Sequence, residues 1–96
     1  MKKLIFEWDD HKSASNKRKH GVSFEDAQTV FFDDKAIEFD DPDHSIQEER
    51  FILLGLSQKL KVLVVCHCYR SDESKIRIIS ARKATKKEKG VYFRRS

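Results

Sequence analysis

The sequence predicts an α+β fold in which two helices near the N-terminus pack on one side of a mostly antiparallel, twisted sheet and a third helix closes the chain, in the order β-α-α-β-β-β-β-α. Three observations carry this expectation. Helix caps and apolar spacings of three to four residues crowd positions 9–34. From residue 36 to residue 82 the apolar residues fall instead in β-branched and aromatic runs separated by turn chemistry. The links between most of those runs are short, which favours antiparallel neighbours.

Residues 4–8, with Leu4, Ile5, Phe6 and Trp8, read as an opening strand. Asp9 or Asp10 caps a helix that runs to about His20, and Gly21 ends it. That helix is unusually polar: Ala14 is its one clearly apolar residue, and Lys12, Lys17, Arg18 and Lys19 crowd it. Packing alone gives it little reason to form, so one face is expected to serve an anion or a partner. Ser23 caps the second helix, with Asp26 at the capping-box position. Phe24, Ala27 and Phe31 fall on its core side before it stops near Asp33 and Asp34. Strands are expected at 36–39, 51–56, 60–69 and 75–82, with turns at 41–43, 57–59 and 71–74. The run 60–69 is the longest and should lie centrally. Thr85 and Glu88 form a capping box for a last helix that holds Val91 and Tyr92.

With 96 residues and neither repeat nor linker, the chain is expected to form one domain over 1–96. No apolar run approaches the ~18–20 residues a membrane span needs, so no membrane partner is expected. The first residues turn acidic too soon for a signal peptide, and two cysteines make no disulfide framework, which points to the cytosol. The net charge of +4 is unevenly spread. Residues 25–50 carry two Lys/Arg against ten Asp/Glu, a net −8, whereas residues 51–96 carry twelve against three, a net +9. Two faces with different partners are expected: a basic one that attracts phosphate and an acidic one that repels it.

Alternation along the run 60–69 puts Leu63, Val65, His67 and Tyr69 on one face and Val64, Cys66, Cys68 and Arg70 on the other. In the last strand, Ile76, Ile78, Ser80 and Arg82 should oppose Arg77, Ile79 and Ala81. His67, Arg70, Arg77 and Arg82 are expected near one rim. His67 offers acid–base chemistry, the arginines phosphate stabilisation, and Tyr92 a supporting hydroxyl. Lys19, His20, Lys83, Lys86 and Lys87 offer charge for binding a nucleic acid, with Lys83 beside the N-terminus of the last helix. Because His67 points away from Cys66 and Cys68, the three cannot close on zinc, and no metal or other cofactor is expected. These residues support a basic nucleic-acid-facing domain without establishing an enzyme. A non-catalytic nucleic-acid-binding module and a protein-interaction subunit using the acidic middle stay open.

Phe6-Glu7-Trp8-Asp9, the block Lys19-His20-Gly21-Val22-Ser23-Phe24-Glu25-Asp26-Ala27, Glu49-Arg50-Phe51, Gly55, and Arg77-Ile78-Ile79-Ser80-Ala81-Arg82-Lys83-Ala84-Thr85 with Glu88 and Tyr92 resemble, in that order, the BrnT family over nearly the whole chain. The resemblance implies a RelE-like fold and an endoribonuclease toxin of a bacterial type II toxin–antitoxin pair, which arrests translation when free; that the enzyme is metal-independent is expected from the residues, because arginine charge can replace a metal ion when the nucleophile belongs to the substrate. It implies a cognate BrnA-like ribbon-helix-helix antitoxin that neutralises the toxin, binds the operator DNA, and forms a 2:2 complex. It further implies cleavage in which the RNA 2′-hydroxyl is the nucleophile. It supplies no settled catalytic set.

Overall fold

The computed structural model describes residues 3–41, 48–70 and 74–95. In chain order these form β1 (Ile5–Glu7), α1 (Asp10–His20), α2 (Phe24–Gln28), which runs on as a 3₁₀ turn (Thr29–Phe32), β2 (Ile37–Asp40), β3 (Phe51–Leu56), β4 (Val62–Arg70), β5 (Lys75–Lys83) and α3 (Lys86–Arg95). The expected α+β order is the observed one. The expected turns at 41–43 and 71–74 lie largely outside the described residues.

The five strands form one sheet in the order β1-β5-β4-β3-β2, antiparallel throughout except that β1 runs parallel to β5. The helices divide between its faces. Val22, Phe24, Ala27 and Val30, from α2 and its flanks, bury against Leu53, Leu63, Val65, Ile78 and Ala81, and Phe6, Trp8 and Phe31 pack around them. On the other face α3 covers only one end, where Tyr92 and Ala84 meet Leu54, Val62 and Val64. The rest of that face, which no described helix covers, is the open face.

Local chemistry explains the helix ends. Asp9 accepts from the Lys12 N–H at 3.0 Å, and Gly21, at φ 70°, gives its N–H to the Lys17 carbonyl. Ser23 accepts from the Asp26 N–H at 3.0 Å. Thr85 and Glu88 form a reciprocal box: the Thr85 N–H reaches Glu88 Oε1 at 2.8 Å, and the Glu88 N–H reaches Thr85 Oγ1 at 3.2 Å. Among the residues of α1 only Asn16 is buried. Its Nδ2 donates to the carbonyls of Val22 (2.9 Å) and Ala81 (2.8 Å), and its Oδ1 accepts from the Ala81 N–H at 3.1 Å. A polar helix is thus held by one amide that mimics a strand partner, where apolar packing would ordinarily hold it.

Two strand expectations need correction. The strand expected from Leu60 begins at Val62, because Leu60 closes the hairpin: its N–H donates to the Ser57 carbonyl at 2.9 Å, with φ at 63°. The alternation expected along β5 breaks at a bulge. Cys66 pairs with Ser80 but His67 pairs with Ile78, so Ile79 is the extra residue. Ile76, Ile78 and Ala81 therefore share the helical face, and Arg77, Ser80 and Arg82 share the open face.

Candidate nucleic-acid interface

The bulge gathers cations. Lys75, Arg77 and Arg82 from β5 and Arg70 from β4 all project on the open face, with Lys75 paired to Arg70, Arg77 to Cys68 and Arg82 to Val64. Toward the β1 end, Glu7 is shared by three of them: Arg77 Nη1 at 2.8 Å, Lys75 Nζ at 3.3 Å and Arg70 Nε at 4.0 Å. The hydrogen bond from Arg77 is the main reason the Glu7 carboxyl is held below its ordinary pKa. Arg70 also reaches Glu48 at 3.7 Å. Arg82 lies four ladder positions from Arg77, about 13 Å along the strand.

Beside Arg82 the open face forms a cleft of about 230 Å³, lined among others by His20, Asp41, Arg50, Cys66, Ser80 and Arg82. Each arrives for a local reason. His20 is the last residue of α1, which Asn16 docks onto Ala81, the neighbour of Ser80 and Arg82. Arg50 directly precedes β3, and its carbonyl accepts from the Asp41 N–H at 3.0 Å. Arg82 is oriented by Glu88, whose oxygens meet Nη1 at 2.8 Å and Nη2 at 2.9 Å. The hydrogen bond from Arg82 holds the Glu88 carboxyl down at about 2, so it stays ionised and the pair keeps its charges. Burial pushes the Cys66 thiol up to about 11, which makes it a poor nucleophile at neutral pH. The cleft therefore offers cations for a phosphate, and an imidazole that can take or give a proton.

Of the residues the sequence singled out, Arg70, Arg77 and Arg82 lie on this face, but Arg82 is separated from the other two. His20 lines the cleft with Arg82. Lys19, Lys83, Lys86 and Lys87 are exposed. His67 does not join them: it lies on the helical face, 0% exposed, with Nδ1 3.2 Å from the Val65 carbonyl and Nε2 3.2 Å from Glu38. Burial lowers its pKa and favours the neutral ring. Tyr92 is also buried, and its hydroxyl donates to Asp33 Oδ2 at 2.6 Å. Cys66 and Cys68 project opposite to His67, and among the described residues no three His, Cys, Asp or Glu side chains group as metal ligands.

Sequence reading missed Arg50, Asp41 and Ser80 as lining residues, and Asn16 and Glu88 as the groups that set the cleft. Glu88 had a signal, since its capping-box position brings it back toward the residues before Thr85. Asn16 had one too, as a short amide in a helix lacking an apolar face. Asp41 carried none.

Residues 8–88 match the family described as "Ribonuclease toxin, BrnT, of type II toxin-antitoxin system". The fold is similar to that of the Brucella abortus ribonuclease toxin BrnT, solved by crystallography at 1.1 Å. The match has a TM-score of 0.62 and 24% sequence identity, and it covers 90% of this chain and 100% of that one. No curated protein matches the chain significantly.

Proposed function

The chain belongs to the BrnT family of ribonuclease toxins of type II toxin–antitoxin systems, and from that premise we propose that RNA is bound and cut on the open face of the sheet, in the cleft where His20, Ser80 and Arg82 meet. The observation that carries this reading is the gathering of Arg70, Arg77 and Arg82 on one face by the β5 bulge, with the His20 imidazole lining the cleft at the Arg82 end. Phosphates of a bound strand run along the arginines, and Lys19, Lys83, Lys86 and Lys87 extend the basic surface.

The reaction follows from the substrate's own chemistry. His20, in its neutral form, takes the proton from the 2′-hydroxyl. The 2′-oxygen attacks the adjacent phosphorus, the bond to the 5′-oxygen breaks, and that oxygen takes a proton from water, while the His20 imidazolium returns its proton to the hydroxide left behind. The products are a 2′,3′-cyclic phosphate and a free 5′-hydroxyl. Arg82 and Arg50 stabilise the charge that builds on the phosphorane, so a metal ion is not required for that task. The acid–base role passes to His20 because His67 is closed off on the other face. Tyr92 acts in packing, since its hydroxyl is spent on Asp33.

Family membership brings an antitoxin and an RNA substrate. We assign the antitoxin to the BrnA-like ribbon-helix-helix type, holding two toxins on one antitoxin dimer and contacting operator DNA itself. Work in the cytosol fits this partnership, and no described helix is long and apolar enough to cross a membrane. The test of the cleavage reading is a short RNA and its counterpart with a single deoxy sugar at the cut position. The first should be cut to a cyclic phosphate and the second left intact by the purified chain. Cutting at the deoxy position rules the mechanism out.

A further inference from the structure

Asp41 and Arg50 from the acidic middle of the sequence line the cleft, but Glu38, Glu48 and Glu49 shape a second surface. On the side of the sheet opposite the arginine face lies a groove of about 940 Å³. Phe31, Phe51 and Tyr69 are on its apolar wall, and Glu38, Glu48 and Glu49 stand along it. No lysine or arginine lines it among the described residues. The rings are fixed in place: Phe51 and Tyr69 have centroids 5.3 Å apart at 58°. The buried His67 ring braces them from below, 4.7 Å from Phe31 and 5.4 Å from Tyr69. Glu38 is held by both the Tyr69 hydroxyl and His67 Nε2, so its charge sits beside the rings. Glu48 already pairs with Arg70. Glu49 is exposed and has no ion pair among the described residues.

Carboxylates beside half-buried aromatic rings exclude phosphate and favour a cation that can also stack. A planar guanidinium meets both demands: its face lies on Phe51 or Tyr69 while its N–H groups donate to Glu38 and Glu49. The apolar wall beyond the rings has room for aliphatic neighbours of that cation. We propose that this groove is a docking site for a polypeptide segment presenting arginine between apolar side chains, and that the segment belongs to the antitoxin. The assignment to the antitoxin rests on the toxin–antitoxin reading above. It deepens that reading by placing one contact on the face that RNA does not use. It also gives the buried His67 a task, as the prop beneath the aromatic wall.

The test is a titration of the ¹⁵N-labelled full chain with a blocked six-residue peptide alternating leucine and arginine. Saturable amide shifts are expected at Phe31, Glu38, Glu49, Phe51 and Tyr69. Affinity should fall about tenfold in Glu49→Gln and further in the double variant Glu38→Gln/Glu49→Gln, in keeping with a lost charge-assisted contact. RNA cleavage by both variants should match the wild type. Glu49→Gln keeps the test valid if the double variant unfolds, because that side chain is exposed. Shifts confined to the open face, equal affinity in Glu49→Gln, equal binding of a peptide with glutamine in place of arginine, or no saturable binding each overturn the site. Self-association of the free chain that Glu49→Gln abolishes would give the groove to a second copy instead. Growth arrest by the wild-type chain that no co-expressed antitoxin relieves removes the antitoxin as occupant, and is read separately from peptide binding.

Discussion

Glu88 holds Arg82 by both terminal nitrogens, at 2.8 and 2.9 Å, and the same carboxylate accepts the Thr85 N–H at 2.8 Å. One side chain thus starts α3 and aims the arginine of the cleft. Arg82→Ala should lower RNA cleavage by roughly 10²–10³-fold, the usual cost of removing one donor to a charged transition state. Its circular dichroism should stay native, because the Arg82 side chain is 41% exposed. Arg82→Lys should also be impaired, since an ammonium cannot reproduce the two-point pairing. Wild-type cleavage rates in Arg82→Ala would remove Arg82 from the reaction.

The same pair sets an acid response. The Glu88 carboxyl titrates at about 2 in the fold against an ordinary 4.5. A lowered folded pKa gives stability that is fully present above about 4.5 and lost as pH falls toward 2. The difference in stability between the wild type and Glu88→Gln should therefore be constant from neutral pH to about 5 and shrink below that. Because the pair is partly exposed, solvent screening keeps that difference small. Urea unfolding of both proteins across pH 3–7 measures it. A difference that grows on acidification contradicts the assignment.

Helix caps and strand runs were legible because each is local: Asp9, Gly21, Ser23, Thr85 and Glu88 announce their roles within four residues. The acidic middle was legible as a charge pattern, and the structure concentrates part of it at one groove. What sequence reading could not reach was non-local. The parallel pairing of β1 with β5 joins residues 70 apart, such as Glu7 and Arg77. The extra residue Ile79 carries no mark distinguishing it from Ile78, yet it decides which face Ser80 and Arg82 occupy. Alternation correctly separated His67 from the cysteines. It could not say that Phe31 and Phe51 would close over the ring, because Phe31 comes from another element.

Asn16 carries the docking of α1 through three hydrogen bonds. Asn16→Ala leaves the Ala81 N–H and carbonyl and the Val22 carbonyl without that partner, at roughly 1–3 kcal/mol for each group that stays buried and unsatisfied. Asn16→Asp should be at least as damaging at neutral pH, since a carboxylate accepts but cannot donate to two carbonyls. Chemical denaturation measures the stability loss. In whatever fraction stays folded, cleavage should fall as well, because His20 shares the helix. A stability change within error for both variants contradicts the anchor role.

Tyr92→Phe separates packing from chemistry. Its hydroxyl donates to Asp33 Oδ2, which also accepts the Leu56 N–H at 2.8 Å. Losing a hydrogen bond to a charged group should cost about 1.5–3 kcal/mol of stability, with cleavage at permissive temperature unchanged. Burial, with Asp33 beside it, raises the Tyr92 pKa from 10.0 to about 12. A raised folded pKa gives stability that is present below about 10 and lost as pH rises toward 12. The advantage of the wild type over Tyr92→Phe should accordingly vanish in strong alkali. Lost cleavage in a fully folded Tyr92→Phe would return the hydroxyl to the active site.

The need for metal is decided by which groups face the phosphate. In the cleft the guanidinium groups of Arg50 and Arg82 face Asp41, and the adjacent Glu88 is engaged with Arg82. A divalent ion would have to compete with Arg82 for Glu88, and Asp41 alone makes no multidentate carboxylate site. The nucleophile is part of the substrate and needs only a base to remove its proton, so lowering the pKa of a metal-bound water contributes nothing to attack. Cleavage should therefore persist in excess EDTA and fall in His20→Ala, with circular dichroism unchanged in that variant. Partial recovery on adding imidazole to His20→Ala would place the proton transfer at that side chain. Activity lost in EDTA and restored by magnesium would instead require an ion at the phosphate. Full activity in His20→Ala would move the base elsewhere on the open face.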